Sequence, residues 1–129
     1  MADELESVSD YLIVILKSHL KLRRDGLKIP KAQEDEFKSI HTDTEAFLSM
    51  IIRFYSARRS DFADLLLEIH TQGNTLNRKA KSARDLFIKQ ISDESVAPNV
   101  IIAFNTLFNA YRRVREHAQN LAEAIAGVK

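Results

Sequence analysis

The stretch DFADLLLEIHTQGNTLNRKAKSARDLFIKQ, residues 61–90, decides the fold, and its reading turns on Gly73. A glycine inside a helix costs about 1 kcal/mol relative to alanine, so it often marks a break. Here Phe62, Leu66, Ile69, Gly73, Leu76, Ala80, Ala83 and Phe87 keep a 4-3 apolar spacing through three heptads. Gly73 therefore stands on the stripe itself. One continuous helix from about Asp61 to Gln90 is expected, with the glycine admitting a close neighbouring helix rather than producing a bend.

Working outward, every flanking segment repeats this period. A first helix is expected from roughly Asp3 to Arg24, with Leu5, Val8, Leu12, Ile15 and His19 on one stripe, widened by Leu16 and Leu20. Gly26 suits a left-handed C-cap, and Pro30 restricts Ile29 to extended backbone. A second helix starts at Pro30 or Lys31, with Glu34, Asp35 and Glu36 at its positive end. Its stripe is Phe37, Ile40, Thr44, Phe47, Ile51 and Phe54, and it should end near Ala57–Ser60. Ser60 is the expected N-cap of the long third helix. The segment SDESVAPN forms the last break, with Asn99 or Ser95 as candidate caps. The fourth helix runs to about Ala126, stopped by Gly127, along Val100, Phe104, Leu107, Tyr111, Val114, Ala118, Leu121 and Ile125.

No segment alternates at period two, so no sheet is expected. The chain of 129 residues fits one domain, and its 3 glycines and 2 prolines leave little punctuation. The expected fold is all-α: an elongated antiparallel four-helix bundle, in which a helix of about 28 residues is about 42 Å long.

Composition narrows function. A formal charge of +1 supplies no global field for nucleic acid, and the basic groups lack interleaved aromatic stacking partners. With no cysteine there is no disulfide framework, thiolate nucleophile or cysteine zinc site. The acidic start, with Asp3, Glu4 and Glu6, is unlike a signal segment, and the apolar run Tyr11–Leu16 is far too short to span a membrane. None of His19, His41, His70 and His117 forms a paired metal motif, and no glycine-rich phosphate loop is present. No catalytic residues are expected, and the protein is not read as an enzyme.

Two charged stretches interrupt this pattern. In LESVSDYLIVILK, residues 5–17, Glu6 and Asp10 stand at i and i+4, where like charges cost a few tenths of a kcal/mol. In YRRVREHAQNLAE, residues 111–123, Arg112 and Glu116 hold the same relation. If the two faces meet, Glu6, Asp10 and Glu116 form a carboxylate cluster suited to a divalent ion, with Arg112 competing for the space. Otherwise these residues form a solvated ion-pair network. Arg112, Arg113 and Arg115 are candidate contacts for an anion or a partner.

Both stretches resemble the signature of the PhoU family, an acid-x-x-x-Asp pattern embedded in LERIGDHAxNIAE. Val114, His117, Ala118, Asn120, Leu121, Ala122 and Glu123 fit the second copy, and Glu6 and Asp10 match the acidic positions of the first. The likeness is strongest to the cytoplasmic PhoU-like domain of bacterial sodium–phosphate cotransporters. The resemblance implies the last helix of one three-helix repeat followed by a complete second repeat, in a fragment of a longer chain or a stand-alone short homologue. It implies a regulatory or interaction domain for sodium-dependent phosphate uptake, acting at the inner face of the membrane. The implied partner is a transporter domain in the same chain or a regulatory protein.

The family's metals, iron, zinc or manganese, would fall on Glu6, Asp10 and Glu116. Arg112 replaces the first acid of the second copy and Arg115 its glycine, so a weakened or lost metal site is expected. The alternatives are a carboxylate metal-binding bundle, with metal-dependent phosphate hydrolysis, or an oligomerisation module in which a homodimer covers apolar surface left by the first helix.

Overall fold

The computed structural model describes residues 2–26, 30–93 and 96–127. Among them are four α-helices and one short 3-10 helix, with no strand, giving the expected all-α bundle. The helices are α1 (Ala2–Arg24), α2 (Lys31–Tyr55), α3 (Phe62–Asp93) and α4 (Pro98–Ala126). The 3-10 helix Arg59–Asp61 joins α2 to α3. No helix among the described residues is long and apolar enough to cross a membrane.

The helix ends follow backbone chemistry more than side-chain caps. Both α1 and α4 stop against a glycine of positive φ, +63° at Gly26 and +78° at Gly127. The Gly127 N–H donates to the Ala124 carbonyl at 3.1 Å, closing the last turn. At the start of α4 the cap is Ala97, and Pro98 takes the first helical position. Asn99 consequently lies inside the first turn and is no cap, while the other candidate, Ser95, lies outside the described residues. Ser60 does not cap α3 either. It sits within the 3-10 helix, which forms because α2 ends at Tyr55, earlier than the spacing suggests.

The core is organised around α4, which packs against each of the other three helices. Its face of Val100, Phe104, Leu107, Phe108, Ala110, Tyr111, Val114, Ala118 and Ala122 is buried. Phe104 is 4.9 Å from Phe37 of α2 and 4.3 Å from Phe87 of α3, ring centre to ring centre, both edge-to-face. Such pairs add about 0.5–1.5 kcal/mol beyond burial. Phe54 and Phe62, 4.9 Å apart, close the α2–α3 corner. The expected stripe of α2 is buried throughout, and the Thr44 hydroxyl within it is satisfied by donating to the Ile40 carbonyl at 2.7 Å.

Gly73 lies inside a continuous α3 and is buried. A Cβ there would stand 2.9 Å from Gln119 Oε1 of α4 and 3.5 Å from the Phe47 ring of α2. Three helices converge on this point, so the glycine serves close approach, as its place on the stripe suggests.

The structure corrects the orientation of α1. Ile15 and Leu22 are buried, and Val8, Tyr11 and Val14 are half-buried, whereas Leu5, Leu12, Leu16, Leu20 and His19 are exposed. Among the described residues α1 leans almost wholly on α4. Its apolar sector is wider than one helix can cover. Two contacts with His117 of α4 fix its rotation: a 2.6 Å bond to Glu4 Oε2 and ring stacking with Tyr11 at 5.9 Å.

The contact at Gly73 is testable by urea unfolding. Gly73→Ala should leave stability within about 1 kcal/mol of the native chain, because the gain in helix propensity offsets displacement of the flexible Gln119 end. Gly73→Leu should lose about 1–3 kcal/mol, because the side chain must displace the Phe47 ring. Equal stability of Gly73→Leu and Gly73→Ala contradicts the close approach.

Candidate functional site

Glu6 and Asp10 are exposed on α1, while Glu116 is half-buried on α4. Glu116 is instead held by its own helix, accepting from Arg113 Nη1 at 3.3 Å and lying 3.8 Å from Arg115 Nη2. Among the described residues no three His, Asp or Glu side chains gather in a way that could hold a metal ion. The rotation of α1 is the reason, since the acid it brings to the motif helix is Glu4, at His117. Sequence reasoning missed Glu4, although it shares a face with Val8 and Tyr11 at 3-4 spacing.

The remaining motif residues form a polar seam on α4. Gln119 donates from Nε2 to His70 Nδ1 of α3 at 2.8 Å and accepts from Arg115 Nη1 at 3.4 Å. Glu123 Oε1 lies 3.7 Å from His70 Nε2. Asn120 is half-buried.

The arginines separate into two settings. Arg113 turns to Glu116, whereas Arg112 and Arg115 line a cleft of about 520 Å³ between α2, α3 and α4. Buried Ile40, Leu76, Phe108 and Tyr111 form its floor. The remaining polar lining includes Asn77, Lys81 and Arg84 from α3 and Asn105, Asn109, Arg112 and Arg115 from α4. No Asp or Glu among the described residues lines it.

Helical spacing builds this site. Asn77, Lys81 and Arg84 fall at i, i+4 and i+7 along α3, and Asn105, Asn109 and Arg112 do the same along α4. Small Ala80, set between larger Leu76 and Phe87 on the inward face, leaves room between the two rows. Asn109 Oδ1 accepts from Arg112 Nη2 at 2.8 Å and so aims its guanidinium. The sequence singled out Arg112 and Arg115 but not Lys81 and Arg84. Their signal was the i, i+3 spacing beside the Ala80–Ala83 stripe.

Arg115 is the most enclosed of the four cations, with a side chain only 15% exposed and an Nε that is buried without a hydrogen-bond partner. Burial pushes its pKa down; Glu116 opposes this, and nearby Arg112 adds to it. An anion in the cleft would relieve that like-charge repulsion and offer acceptors to donors already in place.

Comparison with known proteins finds no matching family model, curated protein or solved structure.

Tyr111 in the floor gives a pH readout. Its hydroxyl lies 3.0 Å from His41 Nδ1, and burial raises its pKa from 10.0 to about 12. Because the folded pKa lies above the unfolded one, the phenol's contribution to stability is full below about pH 10 and is lost as pH rises through about 12. The phenolate absorbance of the native chain minus that of Tyr111→Phe should show a step near pH 12. A step at 10 contradicts the buried phenol.

Proposed function

We propose that this bundle is a non-catalytic regulatory and interaction domain whose cleft between α3 and α4 holds a phosphate-bearing anion. The observation that supports it is the set Lys81, Arg84, Arg112 and Arg115 lining one concave cleft with no lining carboxylate among the described residues. Guanidinium forks match phosphate oxygens bidentately, and lysine adds a point charge. The asparagine amides supply further donors and acceptors, and the buried floor lowers the local dielectric.

Binding between two helices also suggests how a signal forms. An anion bridging Lys81 and Arg84 to Arg112 and Arg115 draws α3 toward α4 and stabilises the arrangement that binds it best. The resemblance to the PhoU family gives this a setting: control of sodium-dependent phosphate uptake at the inner face of a bacterial membrane. The transporter domain of the parent chain, or a regulatory protein, is then the partner that responds. The alternative carboxylate metal centre, with phosphate hydrolysis, has no comparable support, because Glu6 and Asp10 do not gather with Glu116.

The test titrates tripolyphosphate, and separately inorganic phosphate, by calorimetry and thermal unfolding. Saturable one-to-one binding of tripolyphosphate with a rise in Tm is expected. Arg84→Gln and Arg112→Gln should each weaken it by about tenfold or more, the usual scale for losing a charged hydrogen bond. Arg58→Gln with Arg59→Gln, in the α2–α3 link and outside the cleft lining, should leave it within about twofold. No saturable binding, or binding unaffected by the cleft variants, overturns the proposal.

A further inference from the structure

The face of α1 turned away from α4 is apolar along its length. Leu5, Leu12, Ile13, Leu16 and Leu20 are between 40% and 58% exposed. They share one sector of the helix, with Ser9 as the small residue among them, at the 3-4 spacing of a helix-pairing seam. Five large aliphatic side chains of this exposure make a strip of a few hundred Å², the size at which exposed apolar surface marks an interface.

The charges beside the strip select its occupant. Along one edge stand Asp3, Glu6 and Asp10 in the first half of α1, then Lys17, Lys21 and Arg24 in the second, all exposed. Of these six, Arg24 pairs with neighbouring Asp25 at 3.6 Å. Glu6 and Asp10 repel each other at i, i+4 within their own helix, as do Lys17 and Lys21. A second α1 laid antiparallel on the strip resolves both repulsions. About a two-fold axis near Leu12 and Ile13, Leu5 meets the partner's Leu20, and Leu16 fits over the partner's Ser9.

An antiparallel pair sets each edge against the same edge of its mate. Glu6 then comes within a turn of the partner's Lys21, Asp10 of the partner's Lys17, and Asp3 of the partner's Arg24. A parallel pair instead sets that edge against the opposite one, which carries Val8 and His19 and no free acid, since Glu4 is held by His117.

We infer that α1 is a homodimerisation helix, pairing antiparallel with α1 of a second copy through the Leu5–Leu20 strip and the flanking acid–base edge. The pairing is isologous, so it closes at two copies. Glu6 and Asp10 become specificity charges at its border. The strip lies on α1, and the anion cleft draws on α2, α3 and α4 only, so each site can fail without the other.

The test measures mass by sedimentation equilibrium over a concentration series. The native chain should be a dimer that dissociates on dilution. Leu12→Glu with Leu16→Glu should be monomeric at all concentrations, with unchanged helical circular dichroism and unchanged tripolyphosphate binding. Glu6→Lys with Asp10→Lys should weaken dimerisation at least about tenfold, or 1.4 kcal/mol. Adding Lys17→Glu and Lys21→Glu to that pair reverses the four central charges of the edge, leaving the outer Asp3 and Arg24 as they are, and should restore affinity to within about threefold of native. A native chain that stays monomeric up to its solubility limit overturns the inference. So does a dimer untouched by the leucine changes, or a fourfold charge reversal that does not restore pairing.

Discussion

Everything in this bundle depends on α4 being surrounded. One helix meets α1, α2 and α3 at once, so its apolar residues must extend well around its circumference. Phe104, Leu107, Val114 and Ala118 are fully enclosed, and each large side chain contributes about 1.5–3 kcal/mol by leaving water. Polar residues of α4 are confined to the seams between its neighbours. Arg112 and Arg115 therefore fall into the α3 seam and Glu116 between Arg113 and Arg115, while His117 reaches α1. The charged interruptions of the motif helix are what a thrice-packed helix places in its gaps.

That constraint joins the two candidate surfaces through one element. Between Arg112 and His117, a little over one helical turn of α4 passes from the cleft wall to the clasp that fixes α1. Glu4 and Tyr11 grip His117 from one side, and Gln119 ties the next turn to His70 and Arg115 from the other. An anion that reorients Arg115 acts on a side chain bonded to Gln119, whose amide fills the space beside Gly73. The route from cleft to inter-helix packing is short and consists of named contacts.

Helix number, helix continuity and the buried stripes of α2, α3 and α4 were legible in the sequence, because 3.6-residue periodicity reports directly on which face is dry. Gly73 was legible for the same reason: a glycine on a stripe must be facing something. The facing of α1 was not. Its apolar sector is wide enough to offer two faces, and only contacts from α4, at His117, choose between them. The cleft was half legible. Clustered arginines on α4 invited an anion, but Lys81 and Arg84 lie more than twenty residues away on α3 and look like any solvated flank until helix pairing brings them opposite. The carboxylate cluster at Glu6, Asp10 and Glu116 assumed a meeting of faces that the rotation of α1 does not provide.

The most direct single measurement is nuclear magnetic resonance of the arginine Nε–H groups during a tripolyphosphate titration. Arg84, Arg112 and Arg115 should shift together along one saturating curve, with the buried, unpartnered Arg115 Nε–H among the largest, while Arg58 and Arg59 stay in place. Uniform, unsaturating shifts of all arginines, or no shift at Arg115, would show that the cleft is not a binding site and that its four cations are a solvated flank.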